Sequence, residues 1–133
     1  MSTFCSKCPL KHSGTGDPVG PEIHSNDQVI IIGDFPGIHE TVEGRPFVGP
    51  GGVELQRALD RLDLKRFSCH LTNALCCRPP KNDLEATNIQ ISRKNKGKSE
   101  EERVLKPAEA CRGRLYRELQ ATGIHKIICL GKE

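Results

Sequence analysis

Four consecutive apolar residues, Val29-Ile30-Ile31-Ile32, stand out in a chain of otherwise mixed character. A short β-branched run closed by glycine predicts a strand buried on both faces. It breaks at Gly33-Asp34-Phe35-Pro36-Gly37, leaving Asp34 at the carboxyl end, where ligands sit in an open parallel sheet. A second glycine-rich turn, Gly44 to Gly52, follows. Leu55, Ala58, Leu59 and Leu62 then recur at helical spacing and predict a helix over 50–62. Residues 70–76 read as a second strand, with polar Thr72-Asn73 set in an apolar run. Asparagine is unfavourable within a strand, so Asn73 is a candidate for function. A helix begins at Pro107, with Ala108, Cys111, Leu115 and Leu119 as its apolar face and Gly123 as its cap. Residues 126–131 predict a third strand, again apolar and so again central.

Two strand-to-strand connections contain a helix. That pattern predicts right-handed crossovers, a parallel sheet and helices on both faces, an α/β/α arrangement. Residues 11–28, rich in Gly, Pro, Ser and charge, read as a loop over the surface. Residues 81–106 are polar; they carry the basic run Ser92 to Lys98 and then Glu100-Glu101-Glu102. Such a stretch is a solvated loop or a phosphate-contacting arm.

The length of 133 residues suits one domain, 1–133. A net charge of +3 is too small to imply a nucleic-acid partner by itself. No run is long enough to span a membrane and none suggests a signal peptide, so the expected location is cytoplasmic, associated with the nucleoid. Seven cysteines are many for that compartment, and metal binding is a more natural use for them than disulfides. Cys5-Ser6-Lys7-Cys8 puts two thiolates within reach of one centre.

The two turns together resemble the uracil-DNA glycosylase superfamily, most closely its iron–sulfur branch. Gly33-Asp34-Phe35-Pro36-Gly37, Glu40, the string Gly44-Arg45-Pro46-Phe47-Val48-Gly49, Gly52 and Leu55 fall in the places of that branch's pattern. Thr72-Asn73 and the string Cys77-Arg78-Pro79-Pro80 match two further motifs. The resemblance implies a three-layer fold around a four-stranded parallel sheet, of which three strands are found here and the last is lacking. Ile127 to Leu130 is therefore expected to form an exposed apolar sheet edge. Residues 84–105 look like a loop insertion. The family's H-P-S motif, expected beyond the third strand, has no counterpart, so the resemblance covers about the first two-thirds of the family's domain.

The resemblance also implies roles. Asp34 stands at the place of the catalytic carboxylate, and Glu40, at a second acidic position, is the secondary catalytic candidate. Phe47 offers an aromatic face for a flipped base, Asn73 reads its hydrogen-bonding edge, and Gly33, Pro36 and Gly37 form the surrounding turn. Gly51 and Gly52 open a helix N-terminus to a DNA phosphate. Cys5, Cys8, Cys77 and Cys111 match the ligands of a structural [4Fe–4S] cluster. Four thiolates can equally hold zinc, and Cys76 competes with Cys77. Cys76 and Cys129 are otherwise expected as buried core thiols.

Three functions compete on this reading. One is excision of uracil from DNA by hydrolysis of the N-glycosidic bond. Another is a non-catalytic DNA-binding domain of the same fold within a larger replication or repair protein. The third is a zinc-stapled module that holds a nucleotide phosphate. DNA is the expected partner in the first two, with a protein partner or further C-terminal segment completing the fold; no membrane is expected.

Overall fold

The computed structural model describes residues 3–131. Its centre is a three-stranded parallel sheet in the order β2-β1-β3, built from Val29–Gly33 (β1), Cys69–Asn73 (β2) and Ile127–Cys129 (β3). β1 is buried along its whole length, as its apolar run requires. Val29 lies opposite Cys69 and Gly33 opposite Asn73, so the two strands start and stop level.

The helices are Ile38–Glu43 (α1), Pro50–Arg61 (α2), Leu84–Asn95 (α3) and Pro107–Thr122 (α4). α2 covers one sheet face: Leu55 and Leu59 pack with Val29, Ile31, Cys69 and Leu71. Its buried stripe is narrower than the spacing suggested. Ala58 and Leu62 are exposed, because only Gly52, Leu55 and Leu59 turn toward the sheet.

α4 meets β2 through polar groups instead. Thr72 Oγ1 donates to Glu118 Oε1 at 2.8 Å, and His70 Nε2 lies 3.5 Å from the same oxygen. Arg114 pairs with Glu118 and donates 2.8 Å bonds to the carbonyls of Asn73 and Ala74. Ala110 and Cys111 are buried on α4, whereas Ala108 is exposed and Leu115 and Leu119 are half-buried. Ala110 and Cys111 join Cys8, Leu10, Leu75 and Leu84 in a second core cluster, which anchors the N-terminal segment.

Three expectations need correction. Residues 84–105, expected as a looped insertion, contain α3. Asp83 caps it by accepting from Ala86 N at 2.9 Å, and Leu84, Thr87 and Ile91 form a buried stripe at helical spacing. The polar residues around that stripe mask its period. β2 ends at Asn73 rather than Cys76, because the chain turns under β1: Ala74 N donates to Gly33 O at 2.8 Å and Leu75 N to Asp34 O at 2.9 Å. Cys129 is exposed, since β3 pairs only with β1 among the described residues. Ile127, Ile128 and Leu130 are 47%, 38% and 40% exposed, the apolar edge expected of a sheet lacking its last strand.

The surface stretch 11–28 is more attached than its composition suggests. Val19 is buried, and Glu22 exchanges backbone hydrogen bonds with Leu71 at 2.8 and 3.0 Å, adding an antiparallel bridge at β2.

Two measurements check this packing. Asp83→Ala is expected to lower stability by about 1 kcal/mol through loss of the α3 cap, read from urea unfolding. Burial raises the Glu118 carboxyl, but bonds from His70, Arg114 and Thr72 outweigh it and hold the group below its ordinary 4.5. A depressed folded-state value stabilises above the ordinary value and is lost as pH falls through the depressed one. Stability of the wild-type chain should therefore drop below about pH 4.5, and Glu118→Gln should flatten that part of the curve.

Candidate functional site

Because β1 and β2 end level, Gly33 and Asn73 stand side by side at the carboxyl edge of the sheet. The turn after α1 brings Phe47 over the same place. A methyl group on Gly33 would lie 2.5 Å from Asn73 Oδ1 and 2.9 Å from Phe47 Cζ. Glycine is thus required here by close approach, and its bare Cα is the seat on which amide and ring converge. Asp34 follows directly, with its carboxylate against Gly131 beyond β3; a side chain on Gly131 would overlap it. Gly131 also has a positive φ of 133°, which disfavours any replacement.

These groups line a cavity of about 310 Å³ with Phe35, Glu40, Gly51, Gly52 and Leu130. Most of the residues singled out in the sequence are therefore brought together. Pro36 and Gly37 lie outside the lining, in the turn that leads into α1. Gly37 N donates to Glu40 Oε1 at 3.0 Å. The other oxygen, Glu40 Oε2, accepts from Val48 N at 3.0 Å and from Gly49 N at 2.5 Å. Glu40 thus stitches the two glycine-rich turns together. Gly51 and Gly52 form the first turn of α2, and the space beside Gly51 is open. Backbone N–H groups there favour an anion.

Phe47 holds a φ of +53°. For a residue with a side chain this backbone costs on the order of 1–3 kcal/mol and persists only where its surroundings enforce it. Arg66 does so, donating to Phe47 O at 2.8 Å and to Pro46 O at 2.7 Å. Sequence reasoning missed Arg66, which follows Lys65 in the short connection before β2 and carries no motif. It also missed Arg114, whose partners are backbone carbonyls of a distant segment.

The cysteines converge at a second place. Cys5, Cys8, Cys76, Cys77 and Cys111 line a cavity of about 230 Å³, with Arg114 at its wall. Cys76, expected as a core thiol, is half-exposed in that cavity beside Cys77. Burial, and then the charges of Cys111, Cys8 and Cys5, push Cys77 up to about 11. Burial also raises Cys8, with Cys111 and Cys5 adding to it. A hydrogen bond from Cys76 holds the Cys111 thiol low.

Among the described residues, no group of three or more His, Cys, Asp or Glu side chains is arranged to hold a metal ion. A tetrahedral zinc site gathers its sulfurs to about 2.3 Å from one point. Here the thiols line one void, and they are of the donor type that soft metal centres take. The donor set fits such a group.

An open parallel sheet with helices packed on it is an α/β protein, and the carboxylate, ring and amide stand at the strand ends where such folds place their ligands. Its family follows from sequence comparison: the model of the Uracil DNA glycosylase superfamily matches residues 21–133, and the chain belongs to that superfamily. Three similar proteins carry the name Type-4 uracil-DNA glycosylase. That of Archaeoglobus fulgidus is 31% identical over 96% of this chain and 55% of its own length. That of Saccharolobus solfataricus is 33% identical over 96% of this chain and 51% of its own. That of Pyrobaculum aerophilum is 44% identical over 59% of this chain and 39% of its own. The chain spans about half the length of the relatives it matches along most of its length.

The seat at Gly33 can be tested. Gly33→Ala is expected to fold, since the backbone of Gly33 is not left-handed and the atoms a methyl group would meet are side-chain ends, but to displace Phe47 or Asn73 at a cost of roughly 1–3 kcal/mol. Thermal unfolding, together with the loss of ligand binding at the cavity, reads both effects.

Proposed function

We propose that this chain carries the base pocket of a uracil-DNA glycosylase, a DNA-repair hydrolase. The observation that carries this reading is the convergence of Phe47, Asn73 and Asp34 around Gly33. A base must leave the stack before its glycosidic bond is open to attack. Phe47 then gives the flipped base a face to lie on. The Asn73 amide offers both a donor and an acceptor, matching a carbonyl and the imide N–H of uracil; cytosine presents a different edge.

Asp34 supplies the negative charge that an oxocarbenium-like sugar needs, and it orients water. The C1′–N1 bond breaks with its electron pair leaving on uracil. Water adds to C1′, and its proton passes to the carboxylate. Glu40, engaged by three backbone N–H groups, acts by holding the turns in place. Gly51 and Gly52 receive a DNA phosphate at the start of α2. DNA is thus the partner, and the compartment that holds it, the cytoplasm with its nucleoid, is the proposed location.

Cys5, Cys8, Cys77 and Cys111 are proposed to hold a [4Fe–4S] cluster. When bound, the cluster supplies a structural tie and no step of the reaction. The cysteines bring the N-terminal segment, the turn after β2 and the start of α4 to one cavity. Arg114 carries that arrangement to the base pocket through its bonds to the carbonyls of Asn73 and Ala74.

Alkaline cleavage of a labelled uracil-containing oligonucleotide tests the reaction. Asp34→Asn is expected to slow release by about a hundred- to a thousandfold. Asn73→Asp should weaken discrimination of uracil from cytosine by roughly 1–3 kcal/mol. DNA binding that survives in a protein with no release of uracil would favour a non-catalytic domain. Iron and sulfide analysis tests the centre: about four of each per chain are expected, lost in Cys77→Ser and kept in Cys76→Ser. Stoichiometric zinc without iron would overturn the cluster assignment.

A further inference from the structure

Glu22 is tied to Leu71 of β2 by its backbone, and its carboxylate, only 13% exposed, is aimed at two arginines. Arg66 Nε donates to Glu22 Oε2 at 2.9 Å and Arg66 Nη2 to Oε1 at 3.2 Å. Arg45 donates to Oε1 from Nε at 3.0 Å and from Nη2 at 2.7 Å. The far side of the Arg66 guanidinium reaches the consecutive carbonyls of Pro46 and Phe47. One planar cation thus joins the strap at residue 22, the edge of β2 and the peptide that bears Phe47. On the other side of that peptide, Gly52 lies so close that any side chain there would overlap the Phe47 carbonyl.

We propose that Arg66, anchored by Glu22, is a positioning residue for the ring of Phe47 and thereby sets affinity for the flat pyrimidine base; this rests on the base-pocket reading above. The left-handed backbone of Phe47 relaxes unless its carbonyl is held. Relaxation swings the ring away from the bare Cα of Gly33 and removes the stacking face. A guanidinium holds two carbonyls and a carboxylate at once because its donors are fixed in one plane. A lysine ammonium offers a single point and cannot replace it. Holding the ring ready before the base arrives removes an ordering cost from binding.

The test uses the chain labelled with 4-fluorophenylalanine, whose four phenylalanines give four fluorine resonances, with that of Phe47 assigned by Phe47→Leu. The probe is free uracil, titrated into wild type, Arg66→Lys and the milder Glu22→Gln. In both variants the Phe47 resonance is expected to broaden or split. Uracil affinity is expected to fall about tenfold in Arg66→Lys. An unchanged Phe47 resonance and unchanged affinity in both variants would overturn the proposal. A Phe47 resonance that moves in the variants but never responds to uracil in wild type would uphold the brace. That result would instead sink the assignment of the cavity to uracil.

Discussion

Parallel pairing of β1 with β2 brings both strands to an end at one level, and the rest of the site depends on that register. It sets Gly33 beside Asn73. A slip of one residue would turn Asn73 to the opposite face and put a side chain where Phe47 needs empty space. The register is well specified. Val29, Ile31, Cys69 and Leu71 must all face α2, and β1 is buried on both sides.

Around this fixed edge, two arginines do the long-range work. Arg66 binds the carbonyls under Phe47, and Arg114 binds those of Asn73 and Ala74. Each guanidinium is held in turn by a carboxylate, Glu22 for one and Glu118 for the other. Phe47 and Asn73 are therefore positioned through their backbones, which leaves their side chains at the cavity. Arg114 also lines the wall of the cysteine cavity. The metal centre proposed there and the base pocket consequently share one structural link.

The strands, α2, α4 and the cavity at Gly33 were legible because they rest on local signals: an apolar run, a helical spacing and two glycine-rich turns. The convergence of Cys5, Cys8, Cys77 and Cys111 was anticipated from the resemblance, and the structure gathers them with Cys76. α3 was not legible, because only Leu84, Thr87 and Ile91 are buried in twelve residues. Burial of Cys129 was inferred from an apolar run, which reports a strand but not its neighbours; β3 lies at the sheet edge. Arg66 and Glu22 lie 44 residues apart, and their pairing exists only once the strap has joined β2.

The central claim is that the cavity at the ends of β1 and β2 takes uracil. A crystal structure of the chain with uracil bound tests it most directly. The account predicts the ring stacked on Phe47, with the Asn73 amide within hydrogen-bonding distance of its carbonyl and imide edge and the Asp34 carboxylate beside N1. Uracil bound instead in the larger cleft formed by Asn95, Lys96, Arg103 and Lys106, with the cavity at Gly33 empty, would contradict it.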